Sequence, residues 1–182
     1  MRIKALVLWF LTLYLGICFS CTYDLTKTDS FRDIFDHYRS KQGILAFSVP
    51  PALFSIILNH AEEGETSELS EFSELLKDLS AFRMIILETD DQFVTRKDEL
   101  SEVIFSFTQR NGYNDLFRIQ SEDDNIAIKI LEGKETIKEA ILVISSDDSF
   151  TVINLRGNIR PDHFRKLAES GIFEDLEGFR PW

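Results

Sequence analysis

The stretch NIAIKILEGKETIKEAILVISSDDSFTVINLRG, residues 125–157, contains three strand patterns separated by two short polar segments. Ile126, Ile128 and Ile130 alternate with Ala127 and Lys129, which is typical of a strand buried on one face. The segments EGKE and SSDD are short enough to be hairpin turns. DLFRIQ, residues 115–120, precedes them as a further strand. The sequence therefore predicts a four-stranded antiparallel meander.

Upstream of the meander, apolar residues recur at helical spacing. SFRDIFDHY, residues 30–38, predicts an amphipathic helix with Ser30 as its N-cap. A longer helix is predicted from Gln92 to Arg110, and Asn111-Gly112 is typical of a left-handed helix end. The apolar stripes of the two helices are Phe31, Ile34, Phe35 and Tyr38, and Phe93, Leu100, Val103, Ile104 and Phe107.

Two more strand patterns lie before the longer helix, ILAFSV at residues 44–49 and FRMIILE at residues 82–88. The second is apolar on both faces, so we expect it to be the central strand. Helical patterns separate the two strands, which leaves open a parallel pairing with a right-handed connection. Further helices are predicted after Pro51, over the stripe Leu69–Leu79, and from Pro161.

This element order predicts the α+β class. We expect one domain with a largely antiparallel or mixed sheet, a C-terminal four-stranded meander, and helices mainly on one face.

The N-terminus resembles an export signal. Arg2 and Lys4 precede an apolar run from Ala5 to Phe19, which is short for a membrane span. Cleavage after Ser20 would leave Cys21 first, and LGICFSC resembles a bacterial lipobox, although Cys18 and Phe19 depart from its usual residues. We therefore expect Cys21 to be acylated. Two lipid chains would then anchor the protein stably.

Two alternatives to this lipoprotein interpretation remain. A soluble secreted protein would keep one free thiol, and a Cys18-x-x-Cys21 redox pair would need a folded helix N-terminus.

The predicted organisation is a signal peptide at 1–20, a lipidated tether at 21–29, a domain at 30–177 and a tail at 178–182. TYDL after Cys21 has a single acidic residue, so it matches acidic surface-export signals poorly. We therefore expect the protein on the periplasmic face of the outer membrane.

The charge of the chain excludes several kinds of partner. The net charge is −11, and it becomes −13 once residues 1–20 are removed. A chain this acidic is unsuited to nucleic acid or to anionic headgroups. The sixteen Phe residues are equally incompatible with a disordered chain.

No catalytic motif is visible. His37, His60 and His163 have no nucleophile at a recognisable spacing, and the chain contains no G-x-S-x-G, H-E-x-x-H or glycine-rich phosphate loop. Acidic pairs occur at three predicted loops and could provide oxygen ligands for calcium if two loops met in space. The favoured alternative is ordinary turn chemistry, since Asp side chains bond their own backbone. The candidate metal ligands are Asp90, Asp91, Asp123, Asp124, Asp147 and Asp148.

One basic concentration stands out in the acidic chain, and aromatic residues occupy the tail. A carboxylate or an acidic partner would suit the basic residues, and the aromatic residues either pack on the body or dock on a partner. The alternative for the basic residues is a solvated rim that balances the acidic loops. The candidate partner-binding residues are Arg156, Arg160, Arg165, Lys166, Phe179 and Trp182.

DSFRDIFDHYRSKQG, FRMIILET, NGYNDLFRIQSEDDNIAIKILEG and IKEAILVISSDDSFTVINLRGNI occur in this order along the chain. Over residues 30 to 170, this series resembles the Bacteroidetes envelope proteins grouped as domain of unknown function 4252. The resemblance implies a small exported protein, often a lipoprotein, and supplies no catalytic signature.

The sequence thus predicts an envelope lipoprotein that works as a non-enzymatic binding or regulatory module without a cofactor. Its expected partners are the membrane, through Cys21, and an envelope protein. An envelope hydrolase or isomerase built from dispersed Asp, Glu and Ser residues is the main alternative. A calcium-stabilised envelope protein is the third.

Overall fold

The computed structural model describes residues 25–50, 52–53, 76–120 and 125–163. Within these ranges the chain forms a six-stranded sheet, two helices described over their whole length and a 3-10 turn at Leu25–Lys27. Residues 52–53, 76–78 and 161–163 are also helical. The helices are α1 (Phe31–Tyr38) and α2 (Phe93–Arg110). The strands are β1 (Ile44–Val49), β2 (Leu79–Leu87), β3 (Asn114–Gln120), β4 (Asn125–Glu132), β5 (Ile137–Ser145) and β6 (Phe150–Ile159).

Every pair of neighbouring strands in this sheet is antiparallel, and the order is β1-β2-β6-β5-β4-β3. The α+β class and the C-terminal meander are confirmed. A parallel pairing of the first two strands is wrong, because Ile44 lies opposite Leu87 and Val49 opposite Phe82. The end of β1 and the start of β2 therefore lie at the same end of the sheet, so no crossover is needed.

The strand expected at the centre, β2, lies second from one edge. It is buried on both faces, as its composition predicted, with Met84 and Ile86 on one side and Ile85 and Leu87 on the other. The central positions belong to β6 and β5, because β6 inserts between β2 and the rest of the meander. Between β2 and β3, the chain passes through α2 to the opposite edge of the sheet.

Both helices form where their patterns predicted. Ser30 caps α1 by accepting a 3.3 Å hydrogen bond from the backbone N–H of Arg32. Gly112, with φ of +72°, ends α2, and the N–H of Tyr113 bonds to the carbonyl of Thr108 at 3.0 Å. This is the bonding of a Schellman end, which satisfies carbonyls that the last turn leaves without a helical partner.

Two hydrophobic layers cover the two faces of the sheet. On one face, which we call the helix side, the apolar stripes of α1 and α2 pack on Ile85, Ile141 and Val152. The opposite face carries Ile128, Leu142, Ile153 and other buried residues. Burial of such side chains contributes about 25 cal/mol per Å² and is the main stabilising term of the fold. In the described ranges, neither helix is long and apolar enough to cross a membrane.

Part of the predicted tether belongs to the folded body. Leu25 is buried in the helix-side layer, and Thr28 is also buried. The carbonyl of Thr28 accepts hydrogen bonds from Arg110 and Asn111, at the end of α2. Within the predicted tether 21–29, Leu25 and Thr28 thus pack on the folded body, since Leu25 gains burial and Thr28 gains hydrogen bonds.

Several predicted elements lie outside the described residues. They are most of the helix after Pro51, including His60, most of the stripe Leu69–Leu79, and the final helix beyond His163. Leu76, from the same stripe, is described and is buried with the layer opposite the helix side.

Substitutions at two glycines test a strained backbone conformation and a close backbone contact separately. We expect Gly112→Ala to destabilise the protein by about 1 kcal/mol, because a left-handed residue with a side chain is strained while open space surrounds the position. Gly157→Ala should cost about 3 kcal/mol, at the upper end for overpacking, because the new Cβ would lie 2.0 Å from the carbonyl oxygen of Asp78. Urea unfolding of both variants measures the difference, and equal losses would contradict the close approach.

Candidate functional site

A polar network interrupts the apolar helix side of the sheet. Arg83 of β2 lies opposite Asn154 of β6, and Glu139 of β5 lies opposite Arg156 of β6. The β-bulge between Ile137 and Glu139 places Ile137 in the opposite layer. Glu139 lies on the helix side, together with Ile141. Polar side chains from three neighbouring strands therefore meet at one end of this face.

A continuous series of hydrogen bonds connects these side chains. The Nη1 of Arg83 donates to the Oδ1 of Asn154 at 3.2 Å, and the Nδ2 of Asn154 donates to the Oε1 of Glu139 at 2.6 Å. The hydroxyl of Tyr113, the residue after the glycine that ends α2, also bonds to Glu139. Asn154 is 0% exposed and Glu139 is 8% exposed, so water cannot replace these bonds.

The electrostatics of the network follow from burial. Burial raises the pKa of Tyr113, and the negative charge of Glu139 raises it further. Burial also lowers the pKa of Arg83, against the opposing attraction of Glu139. A buried carboxylate without partners would be strongly destabilising, and here Asn154 and Tyr113 bond to it.

Three guanidinium groups lie near one another on this part of the helix side. Arg32 of α1 and Arg156 both act on the charge of Arg83, and Asp36 of α1 offsets them in part. Arg32 also forms an exposed ion pair with Asp36 at 3.5 Å. Arg156 is exposed and has no ion-pair partner among the described residues. We call Arg32, Arg83 and Arg156 the arginine face.

Arg160, which the sequence grouped with Arg156, belongs to a different cluster. Its backbone N–H donates to the Oδ2 of Asp78 at 3.0 Å, and the Nδ1 of His163 lies 2.9 Å from the same oxygen. The guanidinium of Arg160 contacts the Nε2 of His163. The hydroxyl of Ser80 donates to the carbonyl of Arg156, so it is not oriented as a nucleophile toward His163. This cluster fastens the start of β2 to the segment after β6.

The acidic loops lie at the opposite end of the sheet. Thr89 donates to the carbonyl of Asp148 at 2.5 Å, which brings the loop after β2 against the β5–β6 turn. Asp90 accepts from Arg96 at 2.5 Å and from the N–H of Gln92 at 2.8 Å, and these bonds lower its pKa. Asp148 accepts from the hydroxyl of Ser146 at 3.1 Å. Turn chemistry therefore accounts for Asp90 and Asp148.

Within the described part of the chain, no three His, Cys, Asp or Glu side chains group in a way that could hold a metal ion. Asp91 and Asp147 lie in the same two loops as Asp90 and Asp148, whereas Asp123 and Asp124 lie outside the described residues. The calcium hypothesis stays a prediction.

The structure brings together only part of the predicted site. Of the predicted partner-binding residues, Arg156 lies in the arginine face and Arg160 lies in the Asp78 cluster. The remaining predicted site residues lie outside the described ranges, and they are Ser20, Cys21, Arg165, Lys166, Phe179 and Trp182.

Sequence reasoning missed Arg83, Tyr113, Glu139 and Asn154. Glu139 and Asn154 each stand inside an otherwise apolar strand, TIKEAILVI and FTVINL, and a polar residue inside such a run was the available signal. Asp78 and His163 are 85 positions apart, and no spacing rule relates residues so distant.

These features define a class of protein, a single α+β domain whose open antiparallel sheet carries a buried polar network and an arginine face on the same side. The chain belongs to the family described as domain of unknown function 4252, and the match covers residues 38–167. The matched region contains all six strands and α2, while Arg32 lies before it. A search of the curated proteins finds no match.

The two described tyrosines predict loss of stability at alkaline pH. Burial raises the pKa of Tyr38 to about 12 and also raises that of Tyr113, compared with about 10 for an exposed tyrosine. The unfolded chain therefore loses these protons first, so stability is complete below pH 10 and falls as the pH rises above it. We expect Tyr113→Phe to weaken this dependence, as measured by urea unfolding between pH 8 and 11. An unchanged slope would contradict the shift.

Proposed function

We propose that the protein is a cell-envelope lipoprotein of the kind found in Bacteroidetes, and that it works as a non-enzymatic binding module. The signal-like residues 1–20 and the lipobox-like Cys21 support this localisation, with the outer membrane facing the periplasm as the expected site. The arginine face is the surface that binds, and its partner is an acidic segment of another envelope protein.

The observation that carries this proposal is Arg156, an exposed cation with no ion-pair partner among the described residues of a chain with net charge −11. The side chain of Arg83, beside it, is oriented by the hydrogen bond that its Nη1 donates to Asn154. The other N–H groups of Arg83 do not bond to Asn154. A guanidinium has five N–H donors and binds carboxylate oxygens in pairs. An acidic side chain arriving at this face would therefore find donors already in place.

The network that includes Arg83 supports binding at the arginine face. Glu139 is bonded to Asn154 and Tyr113, and Asn154 accepts a hydrogen bond from Arg83. This arrangement keeps Arg83 fixed before a partner arrives, which reduces the entropy lost on binding.

The anchor has its own test. Cys21→Ser should abolish metabolic labelling of the protein with an alkynyl fatty acid, because the substitution removes the sulfur that carries the lipid. Cys18→Ser is the matched control and should leave labelling intact. Labelling that persists in the Cys21→Ser protein would contradict lipidation at this residue.

The binding surface is tested by in vivo crosslinking of the tagged, full-length protein, followed by mass spectrometry of what co-purifies. We expect one stoichiometric acidic partner, which Arg156→Glu loses because its charge is then like that of the partner.

The matched control is Lys41→Glu, which makes the same charge change at a partly exposed position. Lys41 precedes β1, whose first residue pairs with the last residue of β2, whereas Arg156 lies opposite Ala81 near the first residue of β2. The control therefore lies at the other end of the sheet and should keep the partner. A partner kept by both variants, or lost from both, would contradict binding at the arginine face.

A further inference from the structure

Among the described strands, β3 is the last of the sheet and has a neighbour on one side. Its sequence is NDLFRIQ, and it pairs with β4 alone among the described strands. All seven of its residues are exposed, including Leu116 at 48%, Phe117 at 48% and Ile119 at 45%. An edge strand leaves alternate backbone N–H and C=O groups unpaired, and exposed apolar side chains along it favour the addition of another strand.

β3 carries one charge of each sign, Asp115 and Arg118, and Asp115 also forms an ion pair with Lys129 of β4. A β-bulge between Asp115 and Phe117 inserts Leu116, so Asp115 lies opposite Lys129 and Arg118 lies opposite Ala127. Lys129 and Ala127 are two residues apart on β4, and so Asp115 and Arg118 share one face despite their odd spacing. Their side chains lie 3.6 Å apart within the strand, in agreement with this placement.

We propose that a second copy of the protein docks on this edge, with its own β3 antiparallel to the first. A two-fold axis near Leu116 and Phe117 places Asp115 of each copy opposite Arg118 of the other. Opposite charges directly across a pair of strands are favourable, and the symmetry makes two such pairs. The exposed apolar side chains Leu116 and Phe117 then meet at the axis.

The other edge of the sheet does not offer the same complement. β1 also exposes apolar residues, Leu45 and Phe47, but its sequence ILAFSV contains no charged residue. β3 has one acidic and one basic residue, so pairing two copies there brings no net charge together, although each whole chain is acidic. An acidic or a basic peptide would bring net charge to this edge. The local neutrality therefore favours a second copy as the occupant.

The dimer would have a definite layout. Antiparallel edge pairing continues the sheet, and an axis perpendicular to it keeps the helix sides of both copies on the same side. Both arginine faces, and both chain segments at Leu25, then lie on one side of a twelve-stranded sheet, twice the six strands of one copy. Two copies anchored to one membrane can adopt this arrangement, and two binding faces raise the effective affinity for a repeated partner.

Site-specific photocrosslinking in intact cells tests the pairing with the full-length protein. Replacing Phe117 with p-benzoylphenylalanine keeps an aromatic side chain at the proposed axis, and the same replacement of Phe47 on β1 is the matched control. We expect a product of twice the chain mass from position 117 and none from position 47. No product at position 117, equal products at both positions, or a product containing a different protein would overturn the proposal.

A charge exchange tests the register independently of the photocrosslinker. Asp115→Arg and Arg118→Asp each place like charges across the axis and should each abolish the dimer in the purified, detergent-solubilised protein. The double variant restores opposite charges and should regain it, as measured by sedimentation. Thermal unfolding confirms that each variant is folded. A dimer that persists in both single variants, or a folded double variant that stays monomeric, would contradict the proposed pairing.

Discussion

A carboxylate withdrawn from water must find its hydrogen-bond donors inside the fold, and Glu139 finds them on separate parts of the chain. Asn154 reaches it from β6, and Tyr113 reaches it from the end of α2. Asn154 in turn accepts from Arg83 of β2. Breaking a buried pair by removing one partner typically costs about 3 to 5 kcal/mol. The network therefore links three strands to the residue that follows the end of the long helix.

The same constraint explains why the arginine face can exist in an acidic protein. Arg83 is partly buried, and burial alone would make its charge unfavourable. The carboxylate of Glu139 offsets that cost through Asn154, which leaves donors of Arg83 available on the outer side. The charge of Arg83 thus depends on a buried anion on the same face of the sheet.

The sequence predicted the elements well because their signals are local. The stripe of α1, the glycine after α2 and the alternation in β4 each depend on residues within a few positions of one another. The place of β2 in the sheet was not predictable in this way, since it depends on β6 inserting beside it from about 70 residues away, as in the pair Arg83 and Asn154. The candidate site shares this limit. Arg156 was found from the local concentration of charge, whereas Asn154 and Glu139 acquire their roles only when the strands align.

The segment Leu25–Thr28, packed against the end of α2, also decides how a lipidated chain would stand on its membrane. If Cys21 carries the lipid, only residues 22–24 lie between the anchor and the packed Leu25, a reach of at most about 14 Å. The acidic loops begin at the other end of α2, and a helix of 18 residues is about 27 Å long. A lipid on Cys21 would therefore hold the end that carries Arg32, Arg83 and Arg156 toward the headgroups. The acidic end, with the loops of Asp90 and Asp148, would then lie several Debye lengths from the lipid. An approaching envelope protein would meet the acidic end first and would have to come down beside the sheet to reach the arginines.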